Sequence, residues 1–247
     1  MIEHFSHGYI TLLVAFGVSM TGSAVGLLLT RRARQSDRPG RRVPWLLGAA
    51  FAIGGVGIWV MHFVAMLGFA VDGATVRYDP LLTALSAVIA VAVVGCGLLI
   101  IGLGRYNALK LVSASLLTGL GVAAMHYTGM AALTANIELH HDPAYVWSAI
   151  GIAIAASGTA LWLAWRLDRA ASIWLASGVM ALAVNAMHYT AMLGVRTGAA
   201  SGGPVIGVES WHLIFPMATL TVFVMLILIY VVATEPPLRE PGMNRAG

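Results

Sequence analysis

Seven long apolar runs constrain the fold of this chain more than any other feature. Each is about 20 residues or longer, the length that a helix needs to cross a hydrocarbon core of about 30 Å. Only 10% of the residues are charged and 59% are hydrophobic, so we predict an all-α, multi-pass membrane protein built as a seven-helix bundle. The predicted spans are 9–30, 44–70, 80–104, 111–134, 147–165, 171–195 and 212–233.

The cations between these runs predict the orientation of the bundle. All but two of the 14 Lys and Arg residues fall in alternate gaps and in the C-terminal tail, and the exceptions are Arg77 and Arg196. The positive-inside rule then places the N-terminus outside and the C-terminus in the cytoplasm. Cations in such short gaps do not form the basic, aromatic-rich surface of a nucleic-acid-binding protein, so no nucleic-acid partner is predicted.

The same pattern predicts a simple domain organisation. Residues 1–235 form one seven-helix domain, and 236–247 form a short cytoplasmic tail that is too polar and too rich in proline to bury a core. The turn residues in the other gaps are expected to mark helix ends, not folded inserts.

A hexapeptide occurs three times in the chain. It reads Met-His-Tyr-Thr-Gly-Met at 125–130, Met-His-Tyr-Thr-Ala-Met at 187–192 and Met-His-Phe-Val-Ala-Met at 61–66. Spacings of 64 and 62 residues between the histidines indicate an internal repeat of two membrane-crossing helices. The copies fall on the second, fourth and sixth spans, about 10 to 13 Å below the outer boundary, and are therefore expected to share one site.

Within each hexapeptide, the His and the second Met are four residues apart and share one helix face. Imidazole together with thioether suits copper, especially Cu(I), whereas hard cations prefer oxygen ligands. Three histidines would also suit zinc, but three matching methionines would then have no role as ligands. The predicted metal ligands are His62, His126, His188, Met66, Met130 and Met192.

A second set of residues is expected to line this site. The first Met and the aromatic residue of each copy flank the His, although Phe63 in the first copy indicates that a ring is needed there without its hydroxyl. Asn185 precedes His188 by three residues and could orient its imidazole, or could bond to a neighbouring helix. The lining residues are Met61, Met125, Met187, Tyr127, Tyr189 and Asn185. Histidines nearer the outer surface could guide an incoming metal ion, and these are His4, His7, His140, His141 and His212.

Three Met-His-Tyr or Met-His-Phe motifs on alternate helices of a seven-helix membrane protein resemble the MHYT domain, over about residues 5–233. The resemblance implies a bacterial membrane sensor whose motif residues bind copper near the outer face and through it sense oxygen, CO or NO. Many members continue into a cytoplasmic diguanylate cyclase, phosphodiesterase or kinase domain. No such domain is present in this sequence, so we expect a stand-alone copy that signals through a separate cytoplasmic or membrane partner.

The leading functional hypothesis is therefore a non-enzymatic membrane sensor that responds, through copper, to a diatomic gas or to redox state. One alternative is an electron-transfer protein in which two histidines ligate haem. Another is a copper transporter or delivery factor, although the inner halves of the motif helices offer hydroxyl groups but no charge. A hydrolase is least favoured, because no carboxylate lies inside a predicted helix to orient a base.

Overall fold

The computed structural model of the protein describes residues 2–3, 8–36, 38–167, 169–200 and 205–234. Seven helical runs in these ranges are long and apolar enough to cross a membrane, which confirms the predicted all-α bundle. They are Ile10–Gln35, Pro39–Met66, Pro80–Gly102, Ala108–Ala131, Pro143–Arg166, Ala171–Leu193 and Phe215–Thr234.

The individual helices follow in chain order, and the second span is made of three consecutive segments. They are α1 (Ile10–Gln35), α2 (Pro39–Ala50), a π-helical segment (Phe51–Val60), α3 (Met61–Met66), α4 (Pro80–Gly102), α5 (Ala108–Ala131), α6 (Pro143–Arg166), α7 (Ala170–Leu193) and α8 (Ser210–Thr234). Consecutive spans from α4 to α7 pack side by side, α1 packs against both α7 and the π-helical segment, and α8 lies outside against α1 and that segment.

Large apolar side chains cover the outside of the bundle. Leu81 is 78% exposed, Leu109 77% and Trp147 71%. Surface of this kind is too extensive for a soluble monomer and matches a lipid environment. Together with the seven spans, it makes the chain a multi-pass inner-membrane protein.

The π-helical segment was not predicted, and it brings α1 close to the second span. A Cβ on Gly22 of α1 would lie 2.5 Å from both the Ala52 oxygen and the Gly57 nitrogen of the segment. Small residues permit such close contact between membrane helices. π-helical turns are rare and often adjoin functional sites, and this segment ends immediately before α3, which carries His62.

One end of the bundle, which we name the basic end, uses cations to cap neighbouring helices. Such bonds satisfy the last carbonyl groups of a helix and oppose the negative end of its dipole. Arg34 of α1 donates to the carbonyls of Trp165 and Leu167 at the end of α6, and Arg32 donates to Val232 O in α8 at 3.2 Å. Two further caps serve α4, from Arg42 to Gly102 O at 3.3 Å and from Lys110 to Leu103 O at 2.6 Å.

Two of the helices that carry these cations extend further at the basic end than predicted. The predicted gap at 31–43 is largely helical, because α1 continues to Gln35 and α2 begins at Pro39. The arginines were assigned to a loop because they are charged, but each can bond to a helix end while its aliphatic stem stays on the apolar surface.

The opposite end, which we name the histidine end, contains short antiparallel strands where only turns were expected. They are β1 (Ile2–Glu3), β2 (Ala70–Val71), β3 (Val76–Tyr78), β4 (Leu133–Ala135), β5 (Ile137–His141) and β6 (Val195–Ala200). β1 pairs with β2, β3 with β4, and β5 with β6. Tyr78 and Val208 also exchange two backbone hydrogen bonds of 2.9 Å each.

These pairings connect the loops that follow α3, α5 and α7 into a closed ring, which we name the strand ring (β3 to β6 with Val208). Each loop is hydrogen-bonded to both of the others. The predicted helix ends at Ala70, Thr134 and Val195 were therefore wrong, since these residues lie in β2, β4 and β6. An apolar run does not by itself distinguish a helix end from a buried strand.

Candidate metal centre

The three motif histidines meet at the centre of the bundle, each 1% exposed. His62 comes from α3, His126 from α5 and His188 from α7. The Nδ1 atom of His62 lies 3.1 Å from Nδ1 of His188 and 3.2 Å from Nδ1 of His126. One ring nitrogen from each of the three lies within 4.8 Å of the other two, so together they could hold a metal ion. We name this cluster the triad.

The triad is shallower along its helices than predicted. Each histidine lies about one helical turn before the end of its helix, at Met66, Ala131 or Leu193. The imidazoles remain buried because apolar residues of the strands and loops form a packed cluster at this end. These include Phe69, Val71, Leu133 and Val195.

Hydrogen bonding alone cannot satisfy the triad. A neutral imidazole carries one N–H and one lone pair, so Nδ1 of His62 cannot form two full hydrogen bonds to two other Nδ1 atoms. The Nε2 atoms of His62 and His126 are also buried and have no hydrogen-bond partner among the described residues. A cation that accepts a lone pair from each Nδ1 would satisfy these three atoms, while each Nε2 would carry the remaining N–H.

The spacing of the nitrogens fits a metal ion. Metal–imidazole bonds of about 2.0 Å at tetrahedral angles place neighbouring nitrogens about 3.3 Å apart. The two Nδ1 separations of 3.1 and 3.2 Å are within a few tenths of an ångström of that value. The triad therefore suits a small cation with nitrogen ligands.

The two methionines of each hexapeptide lie on different sides of the triad. The second methionines, four residues after each histidine, all belong to the packed cluster between the triad and the strand ring. The first methionines of the second and third copies lie in the main core, and Met61 packs in a small cluster beside α1. The three thioethers at the histidine end are thus Met66, Met130 and Met192.

An aromatic ring packs edge to face against each histidine from the next position in sequence. The centroid distances are 4.8 Å for His62 with Phe63, 5.0 Å for His126 with Tyr127 and 5.0 Å for His188 with Tyr189. The contact is the same in all three copies although one lacks the hydroxyl. The three copies thus share an aromatic ring beside the histidine, and this ring limits the orientation of the imidazole.

Asn185 is buried near the triad, but the hydrogen bond that its side chain donates stays within its own helix. Its Nδ2 donates to Ala181 O in the same helix at 2.8 Å, and its Oδ1 has no hydrogen-bond partner among the described residues. Its proposed role in orienting His188 remains a prediction.

The outer histidines differ in their surroundings. His140 is exposed and lies 3.6 Å from a carboxylate oxygen of Glu138, whereas His141 is half-buried and its ring packs edge to face on Tyr127 at 5.5 Å. Burial lowers the pKa of His141, and the neighbouring His140 lowers it further. His212 is exposed in α8, while His4 and His7 lie outside the described residues.

A cavity of about 50 Å³, which was not predicted, lies on the other side of the triad, towards the basic end. Its walls include Ile58, Val122 and Val184, each one helical turn before a triad histidine, together with Met187. The remaining lining is largely aliphatic, and apolar cavities of this kind stay dry and can hold small apolar molecules.

Sequence comparison agrees with the repeat. Residues 55–114 and 119–177 match the MHYT family, described as "Bacterial signalling protein N terminal repeat". These stretches contain the first two hexapeptides, and the third lies beyond them. No solved structure matches the chain.

Several bacterial signalling proteins are similar to most of the chain. It is 36% identical over 231 residues to the bifunctional diguanylate cyclase/cyclic di-GMP phosphodiesterase MucR of Pseudomonas aeruginosa, covering 90% of this chain and 33% of that protein. It is 35% identical over 198 residues to the cyclic di-GMP phosphodiesterase NbdA of the same organism, covering 78% and 25%. The signaling protein YkoW of Bacillus subtilis is 28% identical over 238 residues, covering 89% and 29%.

The chain thus spans about a third or less of the length of these relatives. The aligned part is the membrane region, in which three helices carry the triad. With two repeats matched and these relatives aligned along most of its length, the chain belongs to the MHYT family.

Proposed function

We propose that this protein is a membrane sensor in which the triad holds a copper ion near the outer face of the inner membrane. The observation that carries the proposal is the convergence of three buried Nδ1 atoms from three separate helices. A metal ion at this point would connect α3, α5 and α7, so its redox state or its bound ligand would change how these helices pack. The packing change is the signal.

Copper is favoured over zinc by the side chains beside the triad. Three thioethers, from Met66, Met130 and Met192, pack at the histidine end of the site. Thioether is a soft ligand that selects Cu(I), and imidazole also binds copper well. Zinc would use the imidazoles but would leave the three methionines without a role as ligands.

The proposed stimulus is a diatomic gas or a change in redox state. The dry cavity beside the triad supports a gas ligand, because its aliphatic walls suit oxygen, CO or NO better than a charged or hydrogen-bonding molecule. It lies one helical turn from the histidines, close enough to supply a molecule to the ion.

The alternatives fit the site less well. Haem bound by two histidines needs a macrocycle between them, whereas the triad rings are in edge-to-face contact with centroids 4.9 to 5.2 Å apart. Transport would need a polar path towards the basic end, but Ser113, Ser115 and Ser177 there bond to carbonyls of their own helices. Acidic residues that the structure describes all lie outside its helices, which favours a sensory role over a catalytic one.

We propose that the signal passes to an enzyme of cyclic di-GMP metabolism. The support is that MucR and NbdA carry such activities in their names and resemble this chain over 90% and 78% of its length. The positive-inside rule predicts that the N-terminus lies outside and the basic end in the cytoplasm, so α8 would lead from the sensor towards that enzyme.

Elemental analysis together with ultraviolet-visible spectroscopy tests the metal centre directly. Protein purified from copper-replete cells should contain copper, and substitution of His62, His126 and His188 by Gln should remove it while the protein remains folded. A Soret band in the wild type would indicate haem instead. Absence of copper from the wild type, with a spectrum unchanged by the triple substitution, would refute the proposal.

A further inference from the structure

A cleft of about 540 Å³ lies at the histidine end beside the second hexapeptide. It is bounded by the end of α5 and by strands β4 and β5. Its lining includes Tyr127, Met130 and His141, with Glu138 near its rim. Imidazole, thioether, phenol and carboxylate groups are thus concentrated in one cleft at this end.

Two polar atoms in the cleft are buried without a hydrogen-bond partner among the described residues. They are Nε2 of His141 and the hydroxyl oxygen of Tyr127, and both residues line the same cleft. Buried polar atoms are nearly always paired, so these two atoms in one cleft are available to bind a ligand. Nε2 of a neutral imidazole can supply a lone pair to a metal ion.

The cleft also reaches the triad. The Tyr127 ring packs on His141 at 5.5 Å and on His126 at 5.0 Å, so it contacts both imidazoles. Met130, one turn after His126, lines the cleft and also belongs to the packed cluster between the triad and the strand ring. A cation bound at His141 would therefore lie one side chain away from the triad.

The first hexapeptide differs from the second at the position of the tyrosine. Phe63 occupies the position equivalent to Tyr127, and its ring packs edge to face against Trp59 at 5.4 Å and Tyr78 at 5.9 Å. The cavity beside Phe63 measures only about 10 Å³. The repeat is thus closed at its first copy and accessible at its second.

We infer that this cleft is a loading site, at which Cu(I) first binds Nε2 of His141 and then passes by Tyr127 and Met130 to Nδ1 of His126. The inference rests on the proposed metal centre. The transfer is ligand exchange without electron transfer: the bond to His141 breaks as the bond to His126 forms. Both imidazoles stay neutral: each donates a lone pair from the ligating nitrogen and keeps its one N–H on the other ring nitrogen, so no proton is released.

The test measures how fast metal-free protein in detergent takes up Cu(I), supplied with a colorimetric chelator whose absorbance reports the free ion. The variant is His141→Gln, with His141→Phe as a second version. The control is His140→Gln. His140 is adjacent to His141 in β5, but it is exposed and packs against Gly198 of β6. Final copper content is measured alongside the rate.

We expect His141→Gln and His141→Phe to load about tenfold more slowly than the wild type but to reach the same final copper content. We expect His140→Gln to load at the wild-type rate. Equal final content also shows that the variants are folded. Loading at the wild-type rate would overturn the loading site alone. Loss of final content would overturn it too, since His141 would then belong to the final site. A wild type that takes up no copper would overturn the metal centre as well.

Discussion

Gly129 of α5 lies directly against the imidazole of His62 in α3. A Cβ at position 129 would lie 2.6 Å from Nε2 of His62 and 3.1 Å from its Cδ2. The first and third hexapeptides have Ala65 and Ala191 at this position. Glycine is thus found in the one copy in which the imidazole of a histidine from another helix fills the space that an alanine methyl group would need.

Replacing Gly129 by Ala should displace His62 and weaken metal binding. The helix itself tolerates alanine well, so we expect the protein to fold while copper affinity falls about 10- to 100-fold, as for other changes that misorient a ligand. Competition with a copper chelator measures the affinity. Gly178→Ala in α7 is the control, since nothing lies within 4 Å of a Cβ there. Unchanged affinity in Gly129→Ala would show that His62 is not a ligand.

The two methionines of each hexapeptide should behave differently. Leucine replaces methionine in a core at a cost of less than about 1.5 kcal/mol, so it removes the sulfur with little effect on folding. Replacing Met66, Met130 and Met192 together should lower Cu(I) affinity about tenfold or more and leave zinc affinity unchanged. The matched control replaces Met61, Met125 and Met187, and we expect no change in either affinity. Equal effects of the two triple variants would argue against thioether ligation at the histidine end.

Filling the cavity beside the triad should reduce access of gas to the metal. Val122→Phe places a ring in the cavity, with an overpacking cost of about 1 to 3 kcal/mol. We expect normal copper content but weaker or slower CO binding, measured by infrared spectroscopy of the copper-loaded protein. Leu120→Phe, two residues away and 51% exposed on the lipid-facing surface, is the control. CO binding that is the same in both variants would exclude a role for the cavity.

Removing a helix cap at the basic end should destabilise the bundle. Arg34 donates to two carbonyls at the end of α6, and bonds from a charged donor to such groups contribute about 1 to 2 kcal/mol, which corresponds to about 3 to 6 °C in Tm for a chain of this size. Thermal unfolding of Arg34→Gln in detergent should show this decrease. Arg38→Gln should not, because Arg38 is exposed just before α2.

The proposed orientation can be tested with single cysteines in a Cys96→Ser background, since Cys96 is the only cysteine in the chain. Glu138→Cys at the histidine end should react with a membrane-impermeant maleimide in intact spheroplasts. Arg105→Cys at the basic end should react only after the membrane is opened. The reverse pattern would place the triad on the cytoplasmic side.

Much of the fold could be predicted, because each span is specified by local hydrophobicity. The span boundaries were less accurate where the chain leaves the bilayer. Thr134 follows an apolar run and was assigned to a helix, but it lies in β4, paired with Arg77 of β3. That pairing joins loops that are 57 residues apart in sequence, so no local pattern reveals it.

The candidate site was predictable to the extent that the repeat encodes it. The identical placement of His62, His126 and His188 in three copies predicted that they would meet, and the structure brings them together. The role of Gly129 was not predicted, because it depends on a contact with another helix. His141 was grouped with four other outer histidines, since the sequence does not show that its ring packs on Tyr127 while His140 points elsewhere.

The strand ring has a mechanical consequence for signalling. Hydrogen bonds hold the three loops together at one end. The ends of α3, α5 and α7 are therefore joined there, and the triad lies close to this junction. A tilt of about 3° in a helix of 24 residues displaces its far end by about 2 Å. Under the proposed function, a small change at an ion bound by the triad would therefore become a larger displacement at the basic end of these helices.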